Sequence, residues 1–268
     1  MPDWQSLFAA GAKPLIGMVH LQALPGSPGH DHAQGIGGVI DAARQDVAVL
    51  EAAGFDGVLF VNEADAPFPA QAPLESATAL AAVVASAAPT RLPFGVEFLF
   101  DPLASLACAT ATGAAFIRGG LVGAWETTSG RRDGRAAEVL RARSAARAEH
   151  VGLFSVPVAE FAFPLGSIDL FRRISTASAE GAWDVLLLGG AAPGSSVDRD
   201  TVERARQSLR HPAPIMANSG VKSTNVSDML AVFDGCFVGS DLKVKANLQN
   251  PIDPHRAEAF IAAARRAG

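Results

Sequence analysis

The chain of 268 residues is 49% hydrophobic and carries a formal net charge of −5 at pH 7. That length can bury a sizeable core, and an evenly mixed acidic surface lacks the basic footprint of nucleic-acid-binding proteins. The longest apolar run, at 79–88, is shorter than the roughly 20 residues that span a bilayer. The N-terminus shows no basic-then-apolar leader, so we expect a soluble cytoplasmic protein that neither binds nucleic acid nor inserts into a membrane.

Short apolar runs alternate along the chain with longer helical patterns, as in proteins built from βα units. The runs show little polar alternation, which indicates strands buried on both faces of a parallel sheet. Eight strands are predicted, at 15–21, 57–63, 93–100, 115–120, 152–158, 184–190, 214–220 and 235–240. Eight helices are predicted, at 39–53, 74–88, 102–112, 135–149, 167–180, 199–209, 223–232 and 254–267.

Eight βα units predict one (β/α)8 barrel domain over residues 1–268. The competing fold is an open doubly wound sheet, which favours a Gly-x-Gly-x-x-Gly turn after its first strand. Residues 22–32 instead form a Pro/Gly-rich loop without that fingerprint. Residues 121–134 show no periodicity, and we interpret them as an active-site lid or a surface loop.

The seventh and eighth strands both end in small residues that let the backbone approach a ligand closely. In barrels of this kind, the loops after these strands often bind a phosphate through backbone N–H groups. The alternative is that the glycines only form tight βα turns. The predicted substrate and phosphate contacts are Gly189, Gly190, Asn218, Ser219, Gly220, Gly239, Ser240 and Arg118.

Polar residues at other predicted strand ends surround the same mouth. Carboxylates there could serve as general acid and base, or bind Mg²⁺ or Mn²⁺. Arg118 could instead pair with one of these acids, and His20 could be a buried barrel histidine. Asp101, which precedes a proline, also fits the start of a helix. The candidate catalytic residues are Glu97, Glu160, His20, Asp65 and Asn62.

Other chemistries are disfavoured by the placement of reactive residues. The chain has four lysines, and none falls within a predicted strand end, which disfavours imine formation. His30 and His32 have the spacing of a metal-binding pair but lie well beyond the first strand. Cys108 and Cys236 fall in apolar patterns, so we expect both to be reduced core residues.

Motifs spread over nearly the whole chain carry a family resemblance. They are KPLIGMVHLQALPGSP (13–28), DGVLFVNEADAPF (56–68), ATGAAFIR (111–118), GRAAEVLRAR (134–143), PLGS (164–167), NSGVKSTNV (218–226) and DGCFVGSDLK with NPIDPHR (234–256). In these motifs the chain resembles the BtpA/SgcQ family, named for a photosystem I biogenesis factor and a sugar-operon protein. The resemblance implies a (β/α)8 barrel of the ribulose-phosphate-binding kind and implies no particular reaction.

Two hypotheses about function follow. The first is an enzyme acting on a small phosphorylated metabolite, a sugar phosphate or nucleoside-like compound, as an isomerase, a lyase or an enzyme cleaving glycosidic bonds. The second is a non-catalytic assembly or stability factor that uses the barrel as a scaffold. The scaffold hypothesis predicts a mouth plugged by side chains and an exposed apolar patch. In either case we expect a homo-oligomer.

Overall fold

The computed structural model describes residues 4–88, 91–158, 162–190 and 197–266. The strands are β1 (Leu15–His20), β2 (Gly57–Val61), β3 (Phe94–Glu97), β4 (Phe116–Gly119), β5 (Ala124–Thr127), β6 (Gly130–Asp133), β7 (Gly152–Ser155), β8 (Phe163–Pro164), β9 (Val185–Leu188), β10 (Ile215–Ala217) and β11 (Cys236–Val238). The helices are α1 (Gly35–Ala53), α2 (Leu74–Ala87), α3 (Pro102–Thr112), α4 (Ala136–Ala145), α5 (Leu170–Ala179), α6 (Arg199–Ser208), α7 (Val226–Leu230) and α8 (Pro254–Arg265).

Eight of these strands close into a parallel barrel in the order β1-β2-β3-β4-β7-β9-β10-β11, which confirms the predicted TIM barrel. The barrel closes where the first strand, β1, pairs with the last, β11, with Leu15 opposite Cys236. Because every connection in the barrel joins parallel strands, all eight carboxyl ends meet at one face.

Local sequence explains where several helices begin and end. The carboxylate of Asp101 accepts hydrogen bonds from the backbone N–H groups of Leu103 and Ala104 and so caps α3, and Pro102 opens that helix. Gly54 and Gly113 end α1 and α3 with φ of 88° and 78°, a conformation that glycine adopts without steric cost. The next strand begins within a few residues of each glycine.

The core has two parts. One lies between the barrel and its helices, and the other fills the inside of the barrel. Within the barrel, the rings of Phe116 and Phe154 stack with centroids 4.4 Å apart. The N-terminal 3-10 helix, Trp4–Gly11, adds Trp4, whose ring meets Phe154 edge-on with centroids 5.9 Å apart. Both cysteines are buried, and burial raises the pKa of each thiol to about 12.

Residues 121–134, which we expected to be a loop without regular structure, contain the antiparallel hairpin β5–β6. Strand β8 pairs with the other edge of β5 and completes a three-stranded sheet outside the barrel. We call this sheet the hairpin sheet. It joins the loop after β4 to the loop after β7.

Across the described parts of the chain, no helix is both long and apolar enough to cross a bilayer.

Candidate active site

A cavity of about 270 Å³ lies at the carboxyl-terminal face of the barrel. One side of it carries ionisable side chains, one side is formed by small residues, and the remainder is apolar or aromatic. The lining residues are Met18, His20, Glu63, Glu97, Leu99, Phe100, Arg118, Gly119, Gly120, Trp125, Arg132, Asp133, Val156, Asn218, Ser219, Gly220, Val221, Phe237, Gly239, Ser240 and Leu248. The mouth is therefore not plugged, contrary to the expectation of the scaffold hypothesis.

The floor of the cavity contains a buried ion pair. Arg118, on β4, donates from Nε to Oε2 of Glu97, at the end of β3, across 2.5 Å. Its Nη1 lies 3.4 Å from Oδ1 of Asn218, just after β10, and its guanidinium lies over the ring of Phe237 at 5.5 Å. Arg118 thus pairs with one of the predicted acids, and the pair links three strands of the barrel.

His20, at the end of β1, is held as a neutral imidazole. Its pKa is lowered to about 3, first by desolvation and then by the charges of Lys243 and Arg118. The Nδ1 atom is buried and has no hydrogen-bond partner within the described chain. A neutral imidazole with an unused ring nitrogen can exchange a hydrogen bond or a proton with a ligand.

The small-residue wall is formed by the segments that follow β10 and β11. A side chain at Gly239 would place its Cβ 2.6 Å from Cε1 of His20, so the glycine lets the ring pack against the backbone. Gly220 has a φ of 72°, which favours glycine there. Ser219 and Ser240 complete this wall, and the Oγ of Ser219 has no hydrogen-bond partner in the parts of the chain that the structure describes.

The two segments of this wall are tied to each other and to α8. Asp241 accepts a hydrogen bond from the backbone N–H of Ser223 at 2.8 Å, and Arg256 donates to Asp241 from α8. Asn225 donates to the carbonyl of Gly220 at 2.9 Å. These bonds fix the backbone of the wall before any ligand arrives, which lowers the entropy cost of binding.

Asn62 and Asp65, two predicted catalytic residues, are buried and lie outside the cavity lining. Asn62 accepts from the N–H of Leu99 at 2.8 Å and donates to Asp65 at 3.0 Å, and Asp65 accepts from the N–H of Leu24 at 2.8 Å. Desolvation raises the pKa of Asp65. Together they tie the loops after β1, β2 and β3, so the structure gives both a supporting role.

Other predicted site residues lie elsewhere. Gly189 and Gly190 follow β9, and neither belongs to the described lining. Glu160 falls outside the described residues. Among the side chains that the structure describes, no group of three or more His, Cys, Asp or Glu could hold a metal ion. None of the four lysines lines the cavity, and the buried Lys243 is ion-paired with Asp46.

The hairpin sheet contributes cavity residues that our sequence analysis did not name. Trp125 on β5 and Arg132 on β6 are buried and line the cavity. Arg132 donates to the carbonyl of Phe68 at 2.7 Å and lies over the ring of Phe100 at 5.3 Å. The hairpin therefore reaches across to the segments that follow β2 and β3. Its signal in the sequence is the run Thr128-Ser129-Gly130, small polar residues and a glycine that favour a turn.

Comparison with known proteins gives relatives of matching length. The putative sgc region protein SgcQ of Escherichia coli K12 is 32% identical, covering 97% of this chain and 97% of its own. The photosystem I biogenesis protein BtpA of Synechocystis is also 32% identical, covering 93% of this chain and 87% of its own. Phosphoribosyl anthranilate isomerase from Thermus thermophilus shares the fold, with a TM-score of 0.56, 13% identity and coverage of 95% of this chain and 100% of its own.

The match to a family model also covers nearly the whole chain. The model of the BtpA family matches residues 11–266, which include every strand of the barrel and the segments that line the cavity. The protein belongs to the BtpA family.

Proposed function

We propose that this protein is an enzyme that acts on a small phosphorylated metabolite. The observation that carries the proposal is a cavity in which a wall of small residues, at the ends of β10 and β11, stands directly beside a buried floor of ionisable groups. Barrel enzymes place their sites at this face, and many bind a phosphate between the last two strands. A solved barrel with this fold, the Thermus isomerase, is named for a phosphoribosyl compound.

In this proposal the phosphate binds at the wall. Backbone N–H groups of Gly220, Gly239 and Ser240 would donate to it, together with the Oγ of Ser219. Both glycines line the cavity, and neither carries a side chain that would cover the backbone of the wall.

The reaction we propose is proton transfer, as in an isomerase or a lyase. Glu97 would exchange the proton, because a carboxylate in a desolvated site can be tuned by its neighbours. Arg118 would stabilise its ionised form, and a ring N–H of His20 would donate a hydrogen bond to a developing oxyanion. The proposal includes Mg²⁺ or Mn²⁺ as a cofactor, and Glu63 and Asp133 are the cavity carboxylates that would ligate it.

A thermal-shift screen tests the phosphate site. A compound that binds the folded state raises the melting temperature in a dose-dependent way. The screen would use inorganic phosphate, sugar phosphates and nucleotides, each with and without Mg²⁺ or Mn²⁺. We expect stabilisation by a phosphorylated compound that Gly239→Asp reduces strongly, with Gly37→Ala on α1 responding as wild type. Equal stabilisation of both variants would refute binding at this wall.

Turnover of the compound found in that screen tests the catalytic proposal. Glu97→Gln should still bind the compound but lose at least about a hundredfold in kcat, the usual contribution of a general acid or base. Full activity in that variant would remove Glu97 from the mechanism.

A scaffold role is the second candidate, because one relative is named for photosystem I biogenesis. Three large apolar side chains are exposed at β8 and in the segment after it: Phe163 at 78%, Leu165 at 41% and Ile168 at 60%. This surface could contact a partner protein or a second copy in the proposed homo-oligomer. If Phe163→Ser changes the mass in light scattering while phosphate still stabilises the protein, the surface serves assembly and the cavity serves ligand binding.

A further inference from the structure

Trp125 and Arg132 lie directly opposite each other on the two strands of the hairpin. Side chains at opposite positions of an antiparallel pair have Cβ atoms about 5 Å apart and project from the same face. Both side chains are buried, with 2% and 6% of their surfaces exposed, and both line the cavity. Their neighbours Arg131 and Asp133 form an exposed ion pair with each other at 2.7 Å.

Each of these two side chains holds a buried N–H group without a partner. Within the described chain, Nε1 of Trp125 and Nε of Arg132 have no hydrogen-bond acceptor. Both groups can only donate. A buried donor left without an acceptor costs about 1–3 kcal/mol, so two such donors at adjacent positions are suited to an acceptor that a ligand supplies.

The charge of Arg132 indicates what kind of acceptor is missing. Its Nη1 and Nη2 donate to the backbone carbonyls of Arg131 and Phe68, at 2.9 and 2.7 Å. Among the described residues, no Asp or Glu carboxylate forms an ion pair with Arg132. Arg118 on the floor differs, because it is paired with Glu97. A buried cation that no carboxylate of the described residues neutralises is expected to bind an anion.

We propose that Trp125 and Arg132 form a second oxyanion subsite beneath the hairpin. This inference rests on the proposed function and narrows it. The substrate carries two anionic groups, one phosphate at the β10–β11 wall and a second phosphate or carboxylate under the hairpin. The floor with Glu97 and His20 belongs to the same cavity, so the reacting part of the substrate lies between its charged ends.

The indole N–H of Trp125 provides a direct probe of this subsite. The chain has three tryptophans, so a ¹⁵N–¹H spectrum shows three indole signals, and Trp125→Phe identifies the one that matters. Inorganic phosphate and malonate would be titrated separately, to distinguish a phosphate subsite from a carboxylate subsite. We expect the Trp125 signal to move downfield with at least one of them. The signal of Trp183, whose buried Nε1 also lacks a partner among the described residues, should stay in place.

Variants separate the two sites. In Gly239→Asp, which blocks the wall, the Trp125 signal should still move; if it does not, the subsite proposal fails, because the signal then reports the wall. Arg132→Gln should weaken the response at least tenfold, and Arg132→Lys, which keeps the charge but lacks Nε, should weaken it less. The native positions of the Trp4 and Trp183 signals confirm folding of each variant.

The proposal is overturned if neither anion moves the Trp125 indole signal in the wild-type protein. It is also overturned if that signal responds equally in a folded Arg132→Gln variant. The wall is judged separately, by the effect of Gly239→Asp on thermal stabilisation by phosphate. If the Trp125 signal moves but Gly239→Asp does not change the thermal stabilisation by phosphate, the subsite is supported and the phosphate site at the wall is rejected.

Discussion

Glu97 and Arg118 form a buried ion pair in the cavity floor, with Nε and Oε2 separated by 2.5 Å. Their side chains retain only 7% and 10% of their accessible surface. Each charge is therefore shielded from water and depends on the other.

The pair predicts strong coupling between the two positions. Glu97→Gln and Arg118→Met should each lower the free energy of unfolding by about 3–5 kcal/mol, because each leaves one charge buried without its partner. The double variant should lose markedly less than the sum. Urea denaturation of the four proteins gives the coupling energy, and strictly additive losses would show that the pair contributes nothing as a unit.

His20 predicts a specific dependence of stability on pH. Its pKa in the folded state is about 3, against an ordinary value of 6.5, so below pH 6.5 the unfolded chain binds a proton that the folded chain does not. The stability that the neutral His20 contributes to the folded state is complete above pH 6.5 and is lost as the pH falls towards 3. Over that range the free energy of unfolding falls by about 1.4 kcal/mol per pH unit.

Comparison with His20→Gln isolates that slope. Between pH 6 and pH 4 the free energy of unfolding of the variant should fall by about 1.4 kcal/mol less per pH unit than that of wild type. Urea denaturation at each pH measures this difference. Parallel curves for the two proteins would mean that His20 is accessible to protons in the folded state.

Gly239 predicts a steric effect on the site. Gly239→Ala places a methyl group 2.6 Å from Cε1 of His20, so the ring must move, at a cost of about 1–3 kcal/mol in unfolding free energy. Gly37, in α1, has open space around its would-be Cβ, and Gly37→Ala should stabilise by about 0.4–1 kcal/mol. Thermal denaturation compares the two, and a tolerated alanine at 239 would contradict the close packing of the ring.

Asn62 predicts a loss of stability without a direct effect on chemistry. Asn62→Ala removes the acceptor of the Leu99 N–H and the donor to Asp65, which should cost about 1–3 kcal/mol. Asn247→Ala, in an exposed turn, should change the free energy of unfolding by less than about 0.5 kcal/mol. A stable Asn62→Ala that no longer responds to phosphate would instead return Asn62 to the ligand, as the sequence first indicated.

The barrel could be predicted from the sequence because its signals are local and repeated. Buried strands, glycine helix ends and the Asp101 cap each follow from neighbouring residues. The floor residues His20, Glu97 and Arg118 were found for the same reason, since strand ends converge in any barrel. Trp125 was missed because its place in the cavity depends on how the hairpin sheet folds over the barrel, which no local pattern records.

The hairpin sheet and the floor have separate structural origins. His20, Glu97 and Arg118 lie on barrel strands, whose positions are set by the whole core, whereas Trp125 and Arg132 lie on a sheet built from two excursions outside it. In the proposed enzyme, substitutions in these two excursions would change which molecule is admitted and would leave in place the barrel strands that hold the floor residues. An engineer could therefore exchange residues 121–134 between family members to alter ligand selectivity while leaving the barrel intact.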